Sequence, residues 1–119
     1  MRPGRTSGRR TVERIQSGSD ADQRVLDHLA KLGCDLTLPR EVHHFLYLPM
    51  RDVADEVAQT LEADGWSTAV EASEGAWLVI AKRVRTLTPE LVQETRTQLA
   101  SLASELGGVY DGWEVPLTQ

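Results

Sequence analysis

Residues 66–84 read WSTAVEASEGAWLVIAKRV, and this stretch decides the fold. Residues 66–72 alternate in polarity, and residues 76–84 are rich in aliphatic and β-branched side chains. Both patterns are typical of strands. The link from Ser73 to Gly75 is so short that the two strands must form a β-hairpin. The elements on either side of this hairpin therefore determine the sheet.

A strand and a helix are predicted upstream of the hairpin. VHHFLYL (42–48) is short, apolar and closed by Pro49, as expected of a strand. A helix then begins at Arg51 or Asp52 and ends at Gly65. Its apolar side chains fall on one helical face, and they are Val53, Ala54, Val57, Ala58 and Leu61.

A second helix and a fourth strand are predicted downstream of the hairpin. Thr88, Pro89 and Glu90 suit the N-cap and the first turn of a helix. An apolar stripe continues to the glycines at 107–108. VYDGWEV (109–115) then forms the last strand, and Gly112 within it indicates a bulge.

A further helix precedes these elements. It runs from Asp20 to about Leu32, with one apolar stripe, and Gly33 ends it. The full order is α-βαββαβ, which predicts an α+β, ferredoxin-like sandwich. Right-handed connections place two helices on one face of a four-stranded antiparallel sheet, and the N-terminal helix is extra.

The net charge of −5 is divided unevenly along the chain. Residues 1–19 contain five arginines and one glutamate, a net charge of +4, whereas residues 20–119 carry −9. The first segment is rich in Gly and Ser and has few large apolar side chains, so we expect a disordered basic N-terminal arm. Residues 20–119 are predicted to form a single domain.

Strand parity separates the side chains of residues 42–48 into two sets. Val42, His44, Leu46 and Leu48 suit the helix-covered core, whereas His43, Phe45 and Tyr47 point to the other face. That face is covered by the first helix or left open for a partner. Aromatic side chains there could stack RNA bases, although the charge of −9 opposes phosphate binding. An open face could also pair two copies in a homodimer.

The sequence shows no arrangement of residues typical of catalysis or metal binding. His43 and His44 are adjacent in a strand, so they cannot chelate one metal together. The single cysteine excludes a disulfide framework and a thiolate zinc site. We therefore expect no metal, no cofactor and no catalytic residue. No apolar run approaches the roughly 20 residues that span a bilayer, so we expect a cytoplasmic protein.

Two stretches carry a resemblance to a known family. EVHHFLYL (41–48) and GGVYDGWEV (107–115) resemble the regulator of ribonuclease activity B family, and the likeness covers residues 20–115. The resemblance implies a ferredoxin-like fold with an extra N-terminal helix. It also implies a bacterial, non-catalytic regulator of RNA decay that binds and inhibits the endoribonuclease RNase E.

The resemblance also selects candidate partner-binding residues. The positions that match the family are His43, His44, Tyr110, Asp111, Gly112 and Trp113, and strand parity adds Phe45 and Tyr47. The match leaves open whether these residues serve binding or folding. Trp and Tyr are favoured anchors at interfaces, but a bulged strand anchored by its aromatics explains them equally well.

The chain departs from the proteobacterial members in two ways. It has no long acidic tail after the last Trp, and it has an Arg-rich N-terminus. The family is therefore a firmer prediction than the identity of the partner. The alternative is a ligand-binding or RNA-contacting module that uses the open sheet face and the Arg-rich arm.

Overall fold

The structure, a computed structural model, describes residues 19–116. The predicted basic arm therefore lies outside the described residues, apart from Ser19. The helices are α1 (Ser19–Lys31), α2 (Arg51–Ala63) and α3 (Pro89–Glu105), and the strands are β1 (Arg40–Leu48), β2 (Ser67–Ser73), β3 (Ala76–Arg85) and β4 (Val109–Glu114). These bounds agree with the sequence prediction to within about two residues. Within the described range, no helix is both long and apolar enough to cross a membrane.

The four strands form one antiparallel sheet in the order β2-β3-β1-β4. β1 pairs with β3 along its whole length, and β2 pairs with β3 through the predicted hairpin. The two central strands are thus flanked by β2 at one edge and β4 at the other. Together with the order of the helices, this arrangement confirms the α+β, ferredoxin-like fold.

The main core lies between the sheet and the helices α2 and α3. Its side chains come from one face of the sheet and from the inner faces of both helices, and they include Leu46, Leu48, Val57, Leu61, Val79 and Leu99. All of these residues are almost completely buried. Fully burying one such side chain is worth roughly 1.5–3 kcal/mol, so this cluster is the main source of stability.

Local sequence signals set the ends of the helices. The Thr88 hydroxyl accepts a hydrogen bond from the backbone N–H of Leu91 (3.2 Å), so Thr88 caps α3 as predicted. Gly33 adopts a positive φ of 88° just after α1. The next N–H, of Cys34, then donates to the carbonyl of Leu29 (3.1 Å). Thr88 therefore sets the start of α3 and Gly33 the end of α1, both where the sequence predicts.

Helix α1 packs beside α3, on the face of the sheet that carries the other helices. Its apolar residues Val25, Leu26 and Leu29 join a cluster with Val42 and Trp113. The alternative in which α1 covers Phe45 and Tyr47 is therefore wrong. Those two aromatic side chains belong to a separate cluster on the opposite face of the sheet.

A buried ion pair explains the position of α1. The Asp22 carboxylate accepts hydrogen bonds from the Arg96 guanidinium on α3 (Nε–Oδ2, 2.8 Å) and from the Trp113 indole on β4 (Nε1–Oδ1, 3.3 Å). The Asp22 side chain is only 2% exposed and the Arg96 side chain 15%. A carboxylate this deeply buried needs such partners, so α1 is held where it meets both α3 and β4.

We predict that Asp22→Ala destabilises the protein by about 3 kcal/mol, because it leaves Arg96 with a poorly solvated, uncompensated charge. The measurement is the free energy of unfolding in urea. Asp27→Ala, at an exposed position of the same helix, is the control and should cost less than about 0.5 kcal/mol. Equal losses for the two variants would show that Asp22 does not anchor α1.

Candidate functional site

The YDGW segment (residues 110–113 of β4) contains the predicted bulge. His44 pairs with Trp113 and Leu46 with Tyr110, so the single residue Phe45 lies opposite two residues, Asp111 and Gly112. Gly112 has a φ of 100°, a conformation that glycine adopts without steric cost. Because of this extra residue, Tyr110 and Trp113 both point toward the helices, although a regular strand would turn them to opposite faces.

His44 is the centre of a buried aromatic cluster on this face. Its Nδ1 lies 2.9 Å from the Tyr110 hydroxyl, and its ring meets the Trp66 ring edge-on, with 5.5 Å between the centroids. The Arg83 guanidinium lies over the Trp66 ring, 4.9 Å from its centre. The cluster therefore links β1, β4 and the residue that precedes β2.

Burial makes His44 a neutral residue. Desolvation by burial is the main cause that lowers the pKa of His44, and with smaller electrostatic contributions from Arg85 and His43 it brings that pKa to about 3. A neutral imidazole is one donor and one acceptor, which suits a hydrogen bond with a tyrosine hydroxyl. His44 is thus suited to holding the fold, and its pKa is far below that of a general base at neutral pH.

The pocket found beside His44 is very small. A pocket of about 10 Å³, lined in part by His44, Arg85, Thr95 and Trp113, has room for a single water molecule. Within residues 19–116, no group of three His, Cys, Asp or Glu side chains is placed to hold a metal ion. The YDGW segment and His44 therefore form a packed polar core in the structure.

His43 points to the opposite face and is half-buried. Its Nε2 lies 2.9 Å from the Glu41 carboxylate on the same strand. In the sheet register, His43 lies between Lys82 of β3 and Glu114 of β4. This row of charged and polar groups crosses three strands, so this end of the sheet face is polar.

Phe45 and Tyr47 occupy the same sheet face as His43, as strand parity predicts, but they do not form an exposed surface. They are 2% and 3% exposed, respectively. Both pack with Leu78 and Ile80, their neighbours across the β1–β3 ladder. Burial on this scale is typical of core residues.

The structure divides the eight candidate residues into three groups. His44, Tyr110 and Trp113 come together on the helix-covered face, and Asp111 and Gly112 form the buried bulge between them. The third group, on the other face, consists of His43, Phe45 and Tyr47. Seven of the eight are buried, and His43 alone among them is partly exposed.

Sequence reasoning missed Asp22 and Trp66. Asp22 lies three and four residues before Val25 and Leu26, so it continues the apolar stripe of α1. A carboxylate at such a position is a signal for a buried partner. Trp66 follows the helix-ending Gly65, and nothing local to that sequence indicates contact with His44.

The exposed charge on the described residues is strongly acidic. Between residues 22 and 116, twelve carboxylates but only three cationic side chains are exposed. Helices α2 and α3 supply six of these twelve carboxylates, namely Asp52, Glu56 and Glu62 on α2 and Glu90, Glu94 and Glu105 on α3. Such a surface attracts positively charged partners.

We predict that stability falls as the pH drops below about 6.5, because the pKa of folded His44 lies below its unfolded value. Between these two pKa values the unfolded chain binds more protons, so His44 contributes its full stability above pH 6.5 and loses it toward pH 3. The expected slope is up to about 1.4 kcal/mol per pH unit. Urea unfolding between pH 6 and 5 measures it.

His44→Phe should remove this slope, whatever its effect on the absolute stability. His28→Gln, at an exposed site on α1, is the matched control and should leave the slope unchanged. An undiminished slope in His44→Phe would contradict the assignment of the pH dependence to His44.

Comparison with known proteins agrees with this geometry. A search of curated proteins found no match. The family model described as regulator of ribonuclease activity B matches residues 19–115, which run from the start of α1 to one residue past the end of β4. The match includes the His44 strand, the YDGW segment and the Asp22 anchor. The chain therefore belongs to the regulator of ribonuclease activity B family.

Proposed function

We propose that this chain binds an endoribonuclease of the RNase E type as a protein partner and lowers its rate of RNA cleavage. The family match over residues 19–115 carries this proposal, because it includes every described helix and strand. The regulator itself catalyses no reaction. Its place of action is the bacterial cytoplasm, where RNA decay occurs.

The surface charge supports a protein partner rather than RNA. RNA binding requires cations that neutralise phosphates, whereas exposed carboxylates on residues 22–116 outnumber exposed cations fourfold. In addition, Phe45 and Tyr47, which would have to stack bases, are buried. A basic segment of a ribonuclease fits this surface better.

The state of His44 supports a regulator without catalytic activity. Its ring is buried, its pKa is lowered to about 3, and its Nδ1 is engaged by the Tyr110 hydroxyl. The pocket beside it holds no more than a water molecule. A general base needs access to a substrate and a pKa near the working pH, and His44 has neither.

The candidate residues have two roles in this proposal. The seven buried residues stabilise the bulge and the packing on both faces of the sheet, so they affect partner binding only by maintaining the fold. His43 touches the partner directly, since its ring is partly exposed at the polar end of the sheet face.

The test combines capture and cleavage measurements with the ribonuclease of the same organism. At an ionic strength of about 0.15 M, we expect a complex and slower RNA cleavage, and we expect both effects to weaken as salt is added. The chain alone should leave RNA intact. Absence of both capture and inhibition would overturn the proposal, and tight binding of RNA by the chain alone would favour the RNA-contacting alternative.

Single variants test the direct role of His43. His43→Ala should weaken capture of the ribonuclease about threefold, which corresponds to the loss of one exposed polar contact. His28→Ala is the matched control on α1 and should leave capture unchanged. If the two variants behave alike, His43 has no contact with the partner.

A further inference from the structure

We propose that the outer edge of β2 is a second docking site, in addition to the contact at His43, and that it accepts an extended basic segment of the partner as a fifth strand of the sheet. This inference rests on the proposed function, since it names the surface and the chemistry by which a protein partner is held. Four properties of β2 support the inference: its position at the edge of the sheet, its outward backbone groups, its small side chains and the carboxylates beside it.

The two edges of the sheet differ sharply. β2 and β4 are both edge strands. Every β4 residue from Tyr110 to Glu114 is buried, whereas no residue of β2 is buried. β4 is also interrupted by its bulge. β2 is therefore the edge that a partner can reach.

The backbone of β2 is suited to receiving another strand. It pairs with β3 through seven consecutive residue pairs without a bulge, from Ser67–Lys82 to Ser73–Ala76. Among residues 19–116, β3 is its only neighbour in the sheet. Half of its backbone N–H and C=O groups therefore point outward, and strand addition would satisfy them.

Apart from the charge of Glu71, the usual devices that protect an edge strand are missing from β2. The strand STAVEAS contains no proline, no lysine and no bulge. Its side chains are small apart from Glu71, so an approaching strand meets little steric hindrance. Val70 packs on the main core and Ala69 on the cluster of the opposite face, so the strand is anchored on both faces of the sheet.

The charges along this edge select a basic segment. Glu62, Glu71 and Glu74 are exposed beside it. The nearest arginine on β3, Arg83, already donates to the Asp64 carbonyl (2.6 Å) and lies over Trp66. A second copy of the chain would bring the same carboxylates against each other, so a basic partner is favoured over self-association.

A synthetic peptide that alternates Lys and Val over the length of β2 is the direct probe. Backbone NMR of the full chain should show shifts centred on residues 67–73 and slower hydrogen exchange at the outward amides of β2. A peptide of the same length and charge that alternates Lys and Pro cannot add a strand, and it should bind at least tenfold more weakly. Shifts centred elsewhere, or equal binding of both peptides, would overturn the inference.

Charge reversal gives a second, independent test. Glu71→Lys should weaken binding of the Lys-Val peptide about fivefold, because it places a cation beside the added strand. Glu105→Lys, an exposed position at the end of α3, is the control with the same net charge. If both variants weaken peptide binding equally, the effect comes from the net charge of the protein and not from the position of Glu71, and the proposed site is contradicted.

Proline substitutions test the backbone. The amides of Ala69 and Val70 point to opposite sides of β2, so only one of them faces outward. Of Ala69→Pro and Val70→Pro, the variant that loses the inward N–H also loses a hydrogen bond to β3, so its melting temperature should fall. The variant that loses the outward N–H should keep a near-normal melting temperature, and it should bind the Lys-Val peptide about tenfold more weakly. Unchanged affinity in that variant would overturn the inference; if neither variant folds, the Glu71→Lys comparison decides.

The ribonuclease itself separates this inference from the proposed function. Capture by the wild type that is reduced by Glu71→Lys but not by Glu105→Lys supports both. Capture that is equal in all three supports the proposed function and overturns the β2 site. No capture by the wild type overturns the proposed function, and a concentration-dependent dimer that Glu71→Lys alters would identify a second copy as the occupant of β2.

Discussion

The bulge in β4 is the constraint on which both polar networks of this fold depend. One extra residue opposite Phe45 lets Tyr110 and Trp113 face the same layer of helices. Tyr110 then reaches His44, and Trp113 reaches Asp22 on α1. Without that residue, one of the two aromatic side chains would turn to the other face of the sheet, and its network would lose a partner. The spacing within the YDGW segment is therefore a structural requirement.

The order of the elements could be predicted because each one carries a local signal. Helical and alternating periodicities mark the helices and the hairpin, Thr88 marks the start of α3, and Gly112 marks the bulge. The position of α1 could not be predicted, because it depends on contacts between residues 74 and 91 positions apart. Periodicity gives the buried face of a helix but does not say which surface buries it.

The candidate site shows the same limit. Strand parity correctly separates His43 from His44, but it cannot give the depth at which either side chain lies. Phe45 and Tyr47 pack beside Leu78 and Ile80, which the β1–β3 register places next to them, and this contact cannot be read from residues 42–48 alone. Their aromatic character made an exposed recognition surface plausible from sequence. The exposed part of the described chain is instead distinguished by its carboxylates.

The separation of polar groups gives the molecule two kinds of electrostatics. The interior networks are individually matched: Asp22 with Arg96, and a neutral His44 with a tyrosine hydroxyl. The exposed carboxylates are mostly without such close matches, so they act together as a field that extends about a Debye length into solvent. The buried groups therefore set the shape, and the exposed groups set the kind of partner that approaches.

The central place of β1 has a consequence for synthesis on the ribosome. β1 lies between β3 and β4, and α1 is anchored to Trp113 of β4. Both α1 and β1 are synthesised before β4, so neither can complete its contacts until β4 has been made. Contacts over such sequence separations are slow to form. The nascent chain can pair β1, β2 and β3 early, but its second core cluster closes only after β4 has left the exit tunnel.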